Sequence, residues 1–133
     1  MKVHAALFLA LLVGGPVPFT AAAEAPSASV EIVASKRAFT PDTLALRLGE
    51  PVTLVIRNED EGLHAFVPLL LFQRVNVQVK GNAAPEFNET GLARVLIPPH
   101  GTVELRFTPK AAGVFSYICD LPGHIMRGEI RIR

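Results

Sequence analysis

The 133-residue sequence has a single cysteine, Cys119, so no disulfide can form within the chain. It also lacks an apolar run long enough to cross a bilayer as a helix, which takes about 20 residues. The apolar stretch Ala5 to Val13 is broken by Gly14, Gly15, Pro16 and Pro18. Charge of one sign is missing too: 13 basic against 12 acidic residues give +1. That balance offers no electrostatic footprint for nucleic acid. No C-x2-C pair, internal repeat or sustained helical face is visible.

What is present begins with "MKVHAALFLALLVGGPVPFTAAAEA": basic Lys2, a short apolar run, then small residues. This predicts a secretory signal peptide over residues 1–23, cleaved after Ala23, with Ala25 the alternative. Residues 24–133 then form one domain, since about 110 residues build one core and not two. Its expected location is the periplasm, and its net charge is about zero once Lys2 is gone. An unpaired thiol in an oxidising compartment is a liability unless it is buried as a small hydrophobe or committed to a metal.

From Ser29 onward apolar residues recur with period two, the signature of half-buried strands. Val52, Leu54 and Ile56 alternate with Thr53, Val55 and Arg57, and Val103, Leu105 and Phe107 alternate with Thr102, Glu104 and Arg106. "SVEIVAS", "TLALRLG", "HAFVP", "RVNVQV", "ARVLIP", "VFSYI" and "GEIRIR" are further candidates. "FTPD", "GEP", "NEDEG", "PPHG" and "TPKAAG" supply the turns. The expected fold is all-β, an antiparallel Greek-key β-sandwich. "KGNAAPEFNETG" is the one connection long enough for a short helix or flap. The run Val67 to Phe72 is apolar on both parities, so it must be covered on both faces or present an adhesive surface.

Chemistry gathers at the C-terminal end, in "YICDLPGHIMRGEIRIR". Cys119 precedes His124 by five positions and Met126 by seven. A fourth candidate, His64, follows the strand "PVTLVIRN" across the turn "EDEG". In a sandwich that strand end and the loop between the last two strands can share a pole. Two imidazoles, a thiolate and a weak axial thioether form a blue-copper donor set, acceptable to Cu(I) and Cu(II) alike. Zinc is the competing metal, but a structural zinc site normally brings more than one cysteine. The expected cofactor is one mononuclear copper. His4 leaves with the signal segment, and His100 in "IPPHGT" reads as a surface turn residue. "NEDEG" reads as a solvated turn, with an acidic docking patch as its alternative. Phe115 and Tyr117 read as core residues.

With these residues in view, the sequence resembles the cupredoxins, small blue-copper proteins related to plastocyanin, azurin and amicyanin. The resemblance covers essentially the whole of residues 24–133. It rests on "FTPDTLALRLGEPVTLVIRN", on His64 with Phe66, on "IPPHGTVELRFTP", on "AGVFSYICDLPGH" and on "MRGEIRI". It implies His64, Cys119 and His124 as equatorial ligands and Met126 as axial ligand, with an open or water-filled axial position as the alternative. The sequence departs from the family in three places. Only Ile125 separates His124 from Met126, where the family leaves a longer gap. Ala65 stands where the family often has Asn or Ser. The apolar "VPLLLF" follows His64 directly.

The expected function is one-electron carriage by an exported, non-enzymatic protein, with His124 as the electron port. Leu121 and Pro122 would frame an apolar patch there for brief docking of redox partner proteins. The runner-up is a copper carrier that delivers metal to another periplasmic protein. A redox enzyme ranks lower, because Asp120 and Glu129 are the only acid/base groups near the site. A metal-free structural adaptor is disfavoured by the complete His, Cys, His set.

Overall fold

A computed structural model describes residues 15–16, 18–22 and 27–133. Most of the expected signal segment and its cleavage site lie outside these residues. Eleven strands form, and among the described residues there is no helix: β1 (Ala28–Ser35), β2 (Ala38–Thr40), β3 (Thr43–Leu46), β4 (Val52–Asn58), β5 (His64–Phe66), β6 (Gln78–Gly81), β7 (Ala84–Asn88), β8 (Gly91–Ile97), β9 (Thr102–Phe107), β10 (Gly113–Ile118) and β11 (Arg127–Ile132).

One sheet has the order β2-β1-β4-β9-β6. The opposing layer consists of two three-stranded sheets, β10-β11-β3 and β5-β8-β7. Val67 and Ile118 join them by exchanging backbone hydrogen bonds of 2.9 and 3.1 Å. Between the layers the alternating residues meet as expected. Ile32, Leu54, Ile56, Val103 and Leu105 from the five-stranded sheet are buried with Phe66, Val95, Ile97, Tyr117 and Ile130 from the other layer. Burying a large apolar side chain contributes about 1.5–3 kcal/mol, so this shared face holds the sandwich together.

The all-β sandwich stands, with two features that periodicity does not encode. β1 pairs with β4 and β3 with β11 in parallel, while the remaining pairs are antiparallel. Period two is the same for both directions, so only the connections reveal which applies. "KGNAAPEFNETG" holds neither a helix nor a flap. It contains β7, an edge strand that returns as a hairpin into β8 and is exposed on both faces, so it shows no alternation. Asn88 Oδ1 closes that hairpin by accepting from the N–H of Thr90 at 2.9 Å and of Gly91 at 3.2 Å.

The run Val67 to Phe72 is not a strand. It folds into turns, Leu71 N–H donating to Pro68 O and Gln73 N–H to Leu70 O. The turns separate its side chains: Leu71 and Phe72 are buried, while Leu69 and Leu70 are 48% and 61% exposed. Phe72 packs edge-on against Phe107 with ring centroids 4.7 Å apart. The adjacent "RVNVQV" is a strand only from Gln78, because Arg74 takes the left-handed conformation (φ 56°) and breaks the extended chain.

Candidate metal centre

Three local devices carry the candidate ligands to one pole of the sandwich. The first lies between β4 and β5. Asn58 ends β4 fully buried, and its amide donates to the carbonyls of Gly62 (2.8 Å), Ile97 (3.1 Å) and Pro98 (3.0 Å). Its Oδ1 accepts the N–H of Asp60 at 2.9 Å, an Asx turn that reverses the chain. The polar loop is thereby fixed to the end of β8, and His64 starts β5 opposite Ile97.

The second device extends the β10–β11 ladder by one rung. Cys119 N–H donates to Met126 O at 3.0 Å, setting both residues at the mouth of the hairpin. The third is "LPGH": His124 N–H donates to Leu121 O at 3.0 Å, and Gly123 has φ 76°. Pro at the second position and a left-handed Gly at the third are what a type II turn requires. Arg94 of β8 places Nη1 3.4 Å from Asp120 Oδ2, tying the same loop to the sheet.

The result is a compact donor set. One ligand atom from each of His64, Cys119 and His124 lies within 4.8 Å of the others. Nδ1 of His64 is 3.2 Å from Nδ1 of His124, and Cys119 Sγ is 3.3 Å from the latter. The two imidazole rings meet edge-on at 5.1 Å between centroids. His64 and Cys119 are buried, whereas His124 is partly exposed. Burial, then the electrostatic influence of Arg37 and of the neighbouring His64, hold His124 below the ordinary imidazole pKa. Nε2 of His64 lies 2.8 Å from Asp60 Oδ2, and a carboxylate only accepts, so the neutral ring carries its proton on Nε2. Its Nδ1 lone pair therefore faces His124 and the sulfur. Three lone-pair atoms aimed at one another need a proton or a cation between them. Two nitrogens and one thiolate fit a soft transition metal.

The fourth candidate, Met126, is buried beside the set through the backbone bond to Cys119. His100 is exposed and pairs with Glu61 at 2.9 Å, away from the donor cluster. Tyr117 is buried among Phe39 and Phe66, in the core role expected of it. Two residues escaped the sequence reading. Asn58 looked only like a strand end, although an Asn closing an apolar strand ahead of a polar turn was a usable signal. Asp60 was one acid among Glu59, Asp60 and Glu61 in "NEDEG". Its four-residue spacing from His64 singles it out only once the turn is known.

The family model of the cupredoxin-like domain matches residues 4–132. The chain belongs to the cupredoxin-like family. Auracyanin A, a "blue" copper protein of Chloroflexus aurantiacus, shares the fold with TM-score 0.58 and 24% identity over 81% of this chain and 100% of its own. Auracyanin of Roseiflexus castenholzii aligns with TM-score 0.58 and 20% identity over 80% and 98%. The iron transport multicopper oxidase FET3 of Candida glabrata is 27% identical over 103 residues, 65% of this chain; the chain spans only 16% of that relative's length. With a cupredoxin-like fold and the cluster His64, Cys119 and His124, the chain is compatible with one mononuclear copper.

Proposed function

We propose that this cupredoxin-like chain is an exported one-electron carrier with a type 1 copper held by His64, Cys119 and His124, and by Met126 axially. Bound copper would supply reversible one-electron chemistry between Cu(I) and Cu(II). The convergence of one sulfur and two imidazole Nδ1 atoms at the end of a rigid sandwich carries this reading. The chain's part is to resist rearrangement. β4, β5, β8 and β10 fix the donor positions before metal enters, so little has to move when charge changes. Burial of His64 and Cys119 keeps bulk water from the sulfur.

His124 is the port in this reading, being the partly exposed imidazole of the pair. Exposed Leu63 and Ile125, with Pro122 and half-buried Leu121, give its surroundings an apolar character suited to transient docking. Among the described residues no helix is long and apolar enough to cross a membrane. Carriage is favoured over catalysis because the nearby acids are engaged: Asp120 with Arg94 and Glu129 with Arg131. It is favoured over metal delivery because handing over an ion requires accessible ligands, and His64 is only 2% exposed.

Titrating purified apo-protein with Cu(II) tests the proposal. An intense thiolate-to-copper charge-transfer band should appear, bleach on reduction and return on oxidation. Cys119→Ser should lose the band while the sandwich stays folded. Absence of the band in the parent protein would sink the reading. Slow electron exchange together with rapid Cu(I) release to an acceptor would favour delivery instead.

A further inference from the structure

The contacts of Asp60 form a chain that ends at the donor set and begins in a different part of the fold. Its Oδ1 accepts the backbone N–H of Lys36 at 2.7 Å, and its Oδ2 accepts that of Arg37 at 3.0 Å. Oδ2 also accepts Nε2–H of His64 at 2.8 Å. Lys36 and Arg37 are the two residues of the β1–β2 hairpin turn, and both have positive φ, 52° and 57°. Hairpins of this length favour Gly or Asn at such positions, because a side chain there costs of order 1 kcal/mol per residue. Two long side chains in the left-handed region are an outlier that the neighbouring structure has to sustain. Here it turns two successive N–H groups toward one carboxylate, a small anion-binding nest.

We infer that Asp60 is a positioning residue for His64, clamped by the β1–β2 turn so that it fixes which ring nitrogen faces the metal and how the ring is aimed. The inference rests on the metal-site reading for its functional consequence, whereas the tautomer it fixes belongs to the apo-protein. Three physical steps carry it. A carboxylate can only accept, so it commits the neutral His64 to the Nε2–H form and frees Nδ1. A negative charge behind an imidazole raises the basicity of its opposite nitrogen, which favours the more highly charged metal ion. The nest supplies two backbone donors that cannot swing away as side chains can. The carboxylate is therefore already oriented before metal binds.

Among the described residues no carboxylate is hydrogen-bonded to His124. Its contacts in the cluster are Nδ1 of His64 and the sulfur of Cys119. The two imidazoles are thus held unequally: His64 is braced from a second hairpin, and His124 is carried on its own turn. Glu59 and Glu61, on either side of Asp60, face elsewhere. Glu59 pairs with Arg57 at 3.1 Å and Glu61 with His100 at 2.9 Å.

The test combines nitrogen-15 NMR of histidine-labelled apo-protein, at about pH 8 where imidazoles are neutral, with Cu(II) titration. In the parent protein His64 should show the Nε2–H tautomer. Asp60→Ala should mix the tautomers, weaken Cu(II) binding about 10–100-fold and raise the reduction potential. Glu61→Gln should change none of these. Replacing the turn by Lys36→Asn with Arg37→Gly should preserve the tautomer, because the backbone donors remain. An Nδ1–H tautomer in the parent protein overturns the inference without any variant having to fold. An Asp60→Ala protein that loses stability but keeps tautomer and affinity overturns it too, reducing Asp60 to a loop anchor. If the parent shows the Nε2–H tautomer yet develops no copper band, the positioning role is supported and the copper reading fails.

Discussion

The backbone N–H of Ala65 donates to the sulfur of Cys119 from 3.3 Å. Ala65 lies in β5 and Cys119 just past the end of β10, 54 positions apart, so this bond links the segments that carry His64 and Cys119. A position where cupredoxins often carry Asn or Ser holds here a fully buried Ala, and the main chain supplies the donor to sulfur. A main-chain donor depends on β5 keeping its register with β8, where Ala65 pairs with Leu96. The chemistry of the sulfur is thus tied to the architecture of the sheet.

Asn58 is the residue on which that register leans. Asn58→Ala would leave three carbonyls without their amide donor, at least one of them buried. The loss of stability should be about 2 kcal/mol or more, read from urea denaturation of the apo-protein. A change below about 0.5 kcal/mol would mean that water satisfies the loop equally well.

Gly128 faces Tyr117 across β10 and β11. A Cβ there would overlap the Tyr117 ring and hydroxyl and would lie 2.7 Å from the backbone oxygen of Asp42. Gly128→Ala should therefore destabilise the fold by about 1–3 kcal/mol, the usual cost of overpacking. Thermal unfolding checks this; an unchanged melting temperature would show that the Tyr117 ring can move aside.

Burial separates the two histidines in a rescue experiment. His64→Ala and His124→Ala should each abolish the charge-transfer band. Exogenous imidazole should restore it at position 124, where the ring is partly exposed, and not at position 64, which is enclosed and bonded to Asp60. Rescue at position 64 alone would contradict the assignment of His124 as the port.

Met126→Leu examines the axial assignment. A thioether donor stabilises Cu(II) more than Cu(I), so its removal should leave the band in place and raise the reduction potential. A potential that stays put, with stability altered by less than about 1.5 kcal/mol as for a volume-conserving core swap, would make Met126 a core residue.

The apo-protein should lose stability on acidification in two windows. His124 has a folded pKa below 6.5, so the unfolded chain takes up its proton first. Stability contributed by the neutral ring declines as pH falls through the unfolded value, and the decline stops at the lower folded one. Asp60 is lowered from 3.8 to about 2, first by the Arg37 N–H and then by His64. Its contribution is complete above 3.8 and disappears as pH falls to about 2. Urea midpoints measured across this range should show both limbs, and Asp60→Asn should lack the lower one.

The sequence by itself determined the strands whose two faces differ. β9 buries one parity of its side chains, and β4 does so apart from Thr53, and hydropathy records that directly. It also offered the candidate donors Cys119, His124 and Met126, which are close in the chain, and "LPGH" encodes its own turn. Tertiary structure alone decided the rest. β7 was hidden because an edge strand exposed on both faces has no alternation to read. The parallel pairing of β1 with β4 and of β3 with β11 depends on where crossovers carry the chain, which period two does not record. Asp60 became distinct from Glu59 and Glu61 only when the β1–β2 turn brought two N–H groups to its carboxylate. Hydropathy is a property of each residue and its near neighbours. A hydrogen bond from residue 36 or 37 to residue 60 is a property of the folded arrangement, and it exists only after the sheets have set the distance.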